Sequence, residues 1–361
     1  MIRFSNLKKG WPIVLLGNIR TDKIEQRLFR NIDYIKAVDL LELKLVYLNI
    51  LFVFIYRVIF KYNRTFGIGL NLRLAYYFAF IQFIDPKIVI SFYGVKDKTF
   101  GVLANLFPDK QFIGYFPARI DNGVLPFISP SNSIYFVFGN FDKRQLISIG
   151  QEGKKIKVSG SLYSGIYLAD YKRQKIKYDI CLISNVTHEW LKNEEKIEKK
   201  LIEYILRYIS LNKNLRIAVA FRPQINDLGK EKEFHFFSKY LSGLNINYIE
   251  HDTDSFSTYK TMEASKVIVA NISTCAFEAM GWGKRVLFIQ PYEFNLELPE
   301  DLYYSVRSPN YNKTSLLIDE LLSISDEQYS NNVNNNINEY CYNNTDNKPH
   351  EIMLQSINSF L

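Results

Sequence analysis

The chain has 361 residues, of which 47% are apolar and 23% charged, and its net charge is +8. That composition supports a sizeable core in one large or two ordinary domains and excludes a disordered chain. Three widely spaced cysteines, Cys181, Cys275 and Cys341, with no CxxC pair, exclude a disulfide framework or zinc site and favour a reducing cytoplasm.

The charge is unevenly placed. Residues 1–177 hold 27 Lys and Arg against 12 Asp and Glu, whereas residues 178–361 hold 18 against 25. Such a split indicates two domains with different partners. The basic half suits anionic lipid headgroups, an anionic acceptor or nucleic acid, and equally a solvated basic surface.

The first predicted element is a buried strand over 11–18, WPIVLLGN. Asn18 and Arg20 interrupt the short apolar run too soon for a signal peptide. A helix is expected near 22–30. Residues 45–60, LVYLNILFVFIYRVIF, are very apolar but interrupted by Asn49 and Arg57. A spanning helix needs about 20 apolar residues, and a central Arg costs about 2.5 kcal/mol or more on insertion. The segment therefore reads as a buried or interfacial helix. Further helices near 70–82, 97–107 and 141–150 alternate with strands over 87–92, 111–116, 133–139 and 155–160. The charged stretch ADYKRQKIK, near 168–177, marks a boundary. The expected division is 1–170, 171–330 and a tail, 331–361.

The second half alternates more clearly. Strands are expected over 178–184, 215–221, 246–251, 267–273 and 285–291. A helix over 194–210 carries Ile197, Leu201, Ile205, Tyr208 and Ile209 at helical spacing. A charged helix follows near 230–242 and a short one over 274–283. The tail from about 325 is rich in Asn and Tyr. It ends with Ile352, Leu354 and Ile357, a short helix crossing back to the first domain. Continuous apolar strands alternating with helices define an α/β protein. The expected architecture is two Rossmann-like domains with parallel sheets facing a central cleft, their functional residues at the carboxyl ends of strands.

The richest constellation runs from Asn271 to Lys284, NISTCAFEAMGWGK. Ser273 or Thr274 caps a helix whose free N–H groups and positive dipole end form an anion site for a pyrophosphate or phosphodiester. Glu278, one turn on, can accept two hydrogen bonds from a ribose diol. Gly281 and Gly283 end the helix. The plain alternative is an ordinary capped helix with a solvent-facing Glu. Arg222, before Pro223 at a strand end, offers a planar fork for phosphate. Ser184 opens a loop in which His188 can contact phosphate or the leaving oxygen. Gly160 and Ser161 are small enough for close approach of a ligand. Asp121, within the turn signal Asp121-Asn122-Gly123, and Asp97 are the candidates for general base or nucleophile. No P-loop, HExxH, GxSxG or strand-linked GxGxxG occurs. Asp252 and Asp254 have diacid spacing but follow a strand and read as a loop, so transfer without a metal is expected. No nucleic-acid-binding motif accompanies the charge.

GSLYSGIYL (160–168), YDICLIS (178–184), FRP (221–223) and STCAFEAMGWGKRVLF (273–288) together resemble bacterial surface carbohydrate biosynthesis proteins. These are glycosyltransferase-like chains of GT-B fold, related to the Kdo transferases of capsule and lipopolysaccharide and more distantly to polyglycerol-phosphate transferases. The resemblance covers residues 85–290 and is most specific over 273–288. It implies a nucleotide-sugar donor as substrate, with no separate cofactor. Arg222, Ser273 and Thr274 would hold phosphate and Glu278 the nucleoside. Gln224 stands where the polyol-phosphate relatives carry His after Arg-Pro, which argues against that chemistry. The function implied is a hexosyl- or Kdo-type transfer to a growing surface polysaccharide or lipid-linked acceptor. It would take place in the cytoplasm, peripherally at the anionic inner membrane face. A polyol-phosphate transferase and a nucleotide-sugar epimerase of the same architecture are the alternatives.

Overall fold

The computed structural model describes residues 10–16, 22–37, 68–92, 98–118, 120, 125–171, 173–184, 203–205, 207–212, 214–221, 227–252, 254–271, 273–290, 299, 301–307, 310–342 and 348–361. They form two compact units, residues 1–162 with 344–361, and residues 163–343. The expected helix over 45–60 lies outside the described residues.

The sheet of the first unit contains β1 (Ile13–Leu16), β2 (Tyr34–Ala37), β3 (Ile88–Ser91), β4 (Gln111–Tyr115), β5 (Ile134–Val137) and β6 (Ile156–Val158). Their order is β2-β1-β3-β4-β5-β6, with every neighbouring pair parallel. All four residues of β1, β3 and β5 are buried, as a sheet covered on both faces requires. The covering helices are α1 (Asp22–Phe29), α2 (Ile68–Ile84), α3 (Lys98–Leu106) and α4 (Asn140–Ser148). On α2 the residues Tyr76, Tyr77, Phe80, Ile81 and Ile84 recur at helical spacing, and all are buried. They meet Phe100, Phe112, Phe116 and Tyr135 in one core. Strand β2 was not expected, because Tyr34-Ile-Lys-Ala lacks a continuous apolar run. It survives at the sheet edge because Glu25 of α1 meets Lys36 at 2.5 Å and accepts the Tyr34 hydroxyl at 2.9 Å.

The second unit repeats the plan with β7 (Tyr178–Ile183), β8 (Ile217–Ala220), β9 (Ile246–Ile249), β10 (Ser265–Ala270), β11 (Arg285–Gln290) and β12 (Ser305–Arg307). The order is β12-β11-β10-β7-β8-β9, again parallel. Its helices are α5 (Leu162–Asp170), α6 (Asp227–Tyr240), α7 (Ser257–Glu263), α8 (Thr274–Gly281), α9 (Tyr311–Ser323) and α10 (Asp326–Tyr340). Residues 203–205 and 207–211 are also helical. From Tyr163 onward α5 goes with this unit, against an expected division at 170. The Tyr167 hydroxyl donates to Glu263, and its ring packs on Phe256, Tyr259 and Trp282.

The Asn-rich stretch expected as tail is a regular helix, α10. Ser325 and Gln328 cap it reciprocally, and Tyr329, Val333, Asn336 and Tyr340 form its buried face. Asn336 is satisfied on both sides, donating to the Asp301 carbonyl and accepting from the Tyr303 N–H, each at 2.9 Å. The last helix, α11 (Pro349–Asn358), belongs to the first unit and packs on α1. Lys157 of β6 reaches its Ser356 hydroxyl at 2.8 Å.

Candidate functional site

In an open parallel sheet, ligands bind beyond the carboxyl ends of the strands, where the strand order reverses. In the second unit that point lies between β7, which leads to β8 and β9, and β10, which leads to β11 and β12. Ile183 pairs in register with Ala270. The pairing sets Ser184 and Asn271 at neighbouring strand ends. Ser184 is 2% exposed, and its N–H donates to the Ala220 carbonyl at 3.0 Å.

Helix α8 opens directly after β10. Ser273 takes the N-cap position with extended backbone, φ −133° and ψ 129°, but its hydroxyl makes no capping bond. Its carbonyl accepts the N–H groups of Ala276 and Phe277 at 3.1 and 3.2 Å. The hydroxyls of Ser273 and Thr274 therefore stand at the positive end of the helix dipole without closing it. Glu278 does not face solvent. It is 2% exposed, and its Oε2 accepts the hydroxyl of Tyr259, itself buried, at 2.6 Å. That bond satisfies one carboxylate oxygen and aims the side chain. The two glycines expected to end the helix divide the work. Gly283, at φ +84°, makes the left-handed turn. Gly281 lies against α10, where an added Cβ would stand 2.6 Å from the Cys341 carbonyl oxygen.

The structure thus places Ser184, Ser273, Thr274 and Glu278 in one unit, the first three just beyond the carboxyl ends of β7 and β10. Gly160 and Ser161 lie in the first unit, at the carboxyl end of β6. Gly160 has φ +80°, its N–H donates to the Val137 carbonyl at 3.2 Å, and Ser161 is fully buried. The next N–H, of Leu162, donates to the Tyr115 hydroxyl at 2.9 Å. Asp97, Asp121, His188 and Arg222 lie outside the described residues.

Two residues were missed in the sequence. Asp142, fully buried on α4, accepts the N–H of Ile120 at 2.9 Å and of Gly139 at 3.3 Å. It thereby fixes the backbone one residue before Asp121. Its signal was an acid in the first turn of a predicted helix. Tyr259 had no such signal, because its bond to Glu278 spans 19 positions. Asp252 does sit in a loop, where its carboxylate accepts the Asp254 N–H at 2.9 Å. Among the described residues no group of three or more His, Cys, Asp or Glu could hold a metal ion, and no helix is long and apolar enough to cross a membrane.

The model of one protein family, described as "putative O-antigen biosynthesis protein", matches residues 132–315, half of the chain. The matched stretch runs from β5 to the start of α9 and contains the whole of α8. The chain belongs to this family. Members of solved-structure families share its fold over nearly the full length. The UDP-GlcNAc 2-epimerase of Methanocaldococcus jannaschii is 16% identical with a TM-score of 0.56, covering 96% of this chain and 99% of its own. The UDP-GlcNAc 2-epimerase of Neisseria meningitidis, solved bound to UDP-GlcNAc, is 13% identical with a TM-score of 0.57, covering 96% and 99%. The wall teichoic acid polymerase TagF is 12% identical with a TM-score of 0.52, covering 97% and 88%. Comparison with curated proteins gives no match. At these identities the likeness is one of fold, and this O-antigen family member has the two-domain α/β architecture of GT-B type.

Proposed function

We propose that this O-antigen biosynthesis family member is a glycosyltransferase that moves a sugar from a nucleotide-activated donor to a growing surface polysaccharide or lipid-linked acceptor. The observation that carries the reading is the amino end of α8. It stands at the switch point of the second sheet with an N-cap hydroxyl that makes no capping bond and a buried, oriented glutamate one turn beyond. In this reading the donor phosphate rests on the first N–H groups of α8 and the hydroxyls of Ser273 and Thr274, with Arg222 adding a charge-assisted fork. Glu278 takes the ribose hydroxyls and Ser184 lines the neighbouring strand end.

The chemistry follows from charge. The acceptor hydroxyl gives its proton to Asp97 or Asp121 as its oxygen attacks the anomeric carbon. The bond from that carbon to the donor phosphate breaks, and the leaving phosphate gains negative charge. A helix amino end and Arg222 stabilise that charge as it develops. His188 would protonate or hydrogen-bond the leaving oxygen. No step requires a metal. The CMP-Kdo type of donor comes from the family resemblance, and docking at an anionic membrane face comes from the basic amino-terminal half.

The deciding experiment incubates candidate nucleotide sugars with and without an undecaprenyl-linked or lipopolysaccharide acceptor and follows both products. Release of nucleotide that depends on acceptor supports transfer. Conversion of the donor to its 2-epimer without acceptor would replace transfer by the epimerase alternative.

A further inference from the structure

At the opposite edge of the second sheet from the switch point, where β10 and β11 begin, lies a cavity of about 700 Å³. That is the size range of small-molecule sites. Four cations line it, Arg173, Lys266, Lys284 and Arg285, against two carboxylates, Glu263 and Asp326.

Two of the cations serve the fold. Lys284 Nζ donates to the Glu263 carbonyl at the end of α7, at 2.7 Å. Arg285 donates to the Leu321 carbonyl of α9 at 3.0 Å and to Asp326 at 2.7 Å. These contacts offset the negative ends of the helix dipoles. The other two leave a surplus. Lys266 shares a single carboxylate, Asp179, with Arg216, at 2.9 and 3.1 Å. Arg173 is exposed at the rim. Burial lowers the pKa of Lys284 below its ordinary value, Glu263 opposes that shift, and Arg173 adds to it. With four cations against two carboxylates on its lining, the cavity carries a positive field that suits an anion.

One wall is aromatic. Tyr171 and Trp282 are partly exposed, and both pack on Tyr167, with ring centroids 5.2 and 5.4 Å away. Ile176, 45% exposed, extends the apolar rim. A flat apolar wall beside a cationic one matches a ligand with a ring body and one negative group.

We propose that this cavity is a second ligand site, separate from the amino end of α8, for a phosphate ester carried on a sugar-sized ring. The ester could come from a free sugar phosphate or from a phosphodiester within a glycan. Calorimetric titration of the full chain with glucose 1-phosphate tests the site. Saturable binding is expected, with glucose and inorganic phosphate each binding more weakly. Arg173→Glu and Lys266→Gln should each weaken it about tenfold, at unchanged melting temperature. Excess UDP should not displace it. A methyl phosphodiester of glucose separates the sources: tighter binding than the monoester marks a polymer, and weaker binding marks a free metabolite. The proposal is overturned if no saturable binding occurs, if neither variant changes it, if glucose binds as tightly, or if UDP competes.

Discussion

A buried polar group left without a partner costs free energy, and the buried Glu278 carboxylate has one in the Tyr259 hydroxyl. Tyr259→Phe keeps the ring packing on Tyr167 and Trp282 and removes that donor. Stability should fall by about 1–3 kcal/mol, read from urea unfolding, and nucleotide affinity should fall with it. Unchanged stability would show that the bond contributes nothing. The cysteines give a second test. Cys181 is fully buried, and burial pushes its thiol up to about 12 despite offsetting help from Ser265, the Ala220 backbone and Lys284. Cys341 is buried too, whereas Cys275 is partly exposed at the second position of α8. Iodoacetamide should therefore label Cys275 first, reach the others only on unfolding, and act more slowly when nucleotide is bound. Early labelling of Cys181 would contradict this burial.

Among the elements, α8 and α11 make opposed local and tertiary demands. Replacing a helical Gly by Ala ordinarily gains about 1 kcal/mol. At Gly281 the new Cβ meets the Cys341 carbonyl oxygen at 2.6 Å and its Sγ at 3.1 Å. Overpacking of that kind costs about 1–3 kcal/mol, so it should win, and Gly281→Ala should lower the melting temperature. A rise would mean that α10 yields freely. On α11, His350 is buried. Burial pushes its pKa below 6.5, Glu351 opposes this, and Arg27 and Lys348 add to it. The folded imidazole thus takes a proton later than the unfolded one. Stability is complete above the ordinary pKa and declines as pH falls through about 6.5 toward the lower folded value. The slope of stability between about pH 7 and pH 5 should flatten in His350→Gln. An identical slope would assign the effect elsewhere.

For the whole molecule, the two-sheet α/β plan was legible because buried parallel strands such as β1, Ile13–Leu16, and most of β10, Val267–Ala270, are continuous apolar runs. What escaped was edge and composition. Strand β2 carries Lys36, whose charge Glu25 meets from a neighbouring helix. Helix α10 hides behind poor helix formers, although Ser325, Gln328 and the spacing of Tyr329, Val333 and Tyr340 mark it. At the site, α8 was visible as a strand–cap–helix pattern, while Tyr259 became visible only once the fold brought it to Glu278. The most direct test of the nucleotide site is a titration of the chain, selectively labelled with 15N at Thr, Cys and Ala, with CMP, CDP, UDP and GDP. One of these nucleotides is expected to give saturable amide shifts centred on Thr274, Cys275 and Ala276. Shifts centred on another element, or none from any of the four, would contradict a phosphate seat at the amino end of α8.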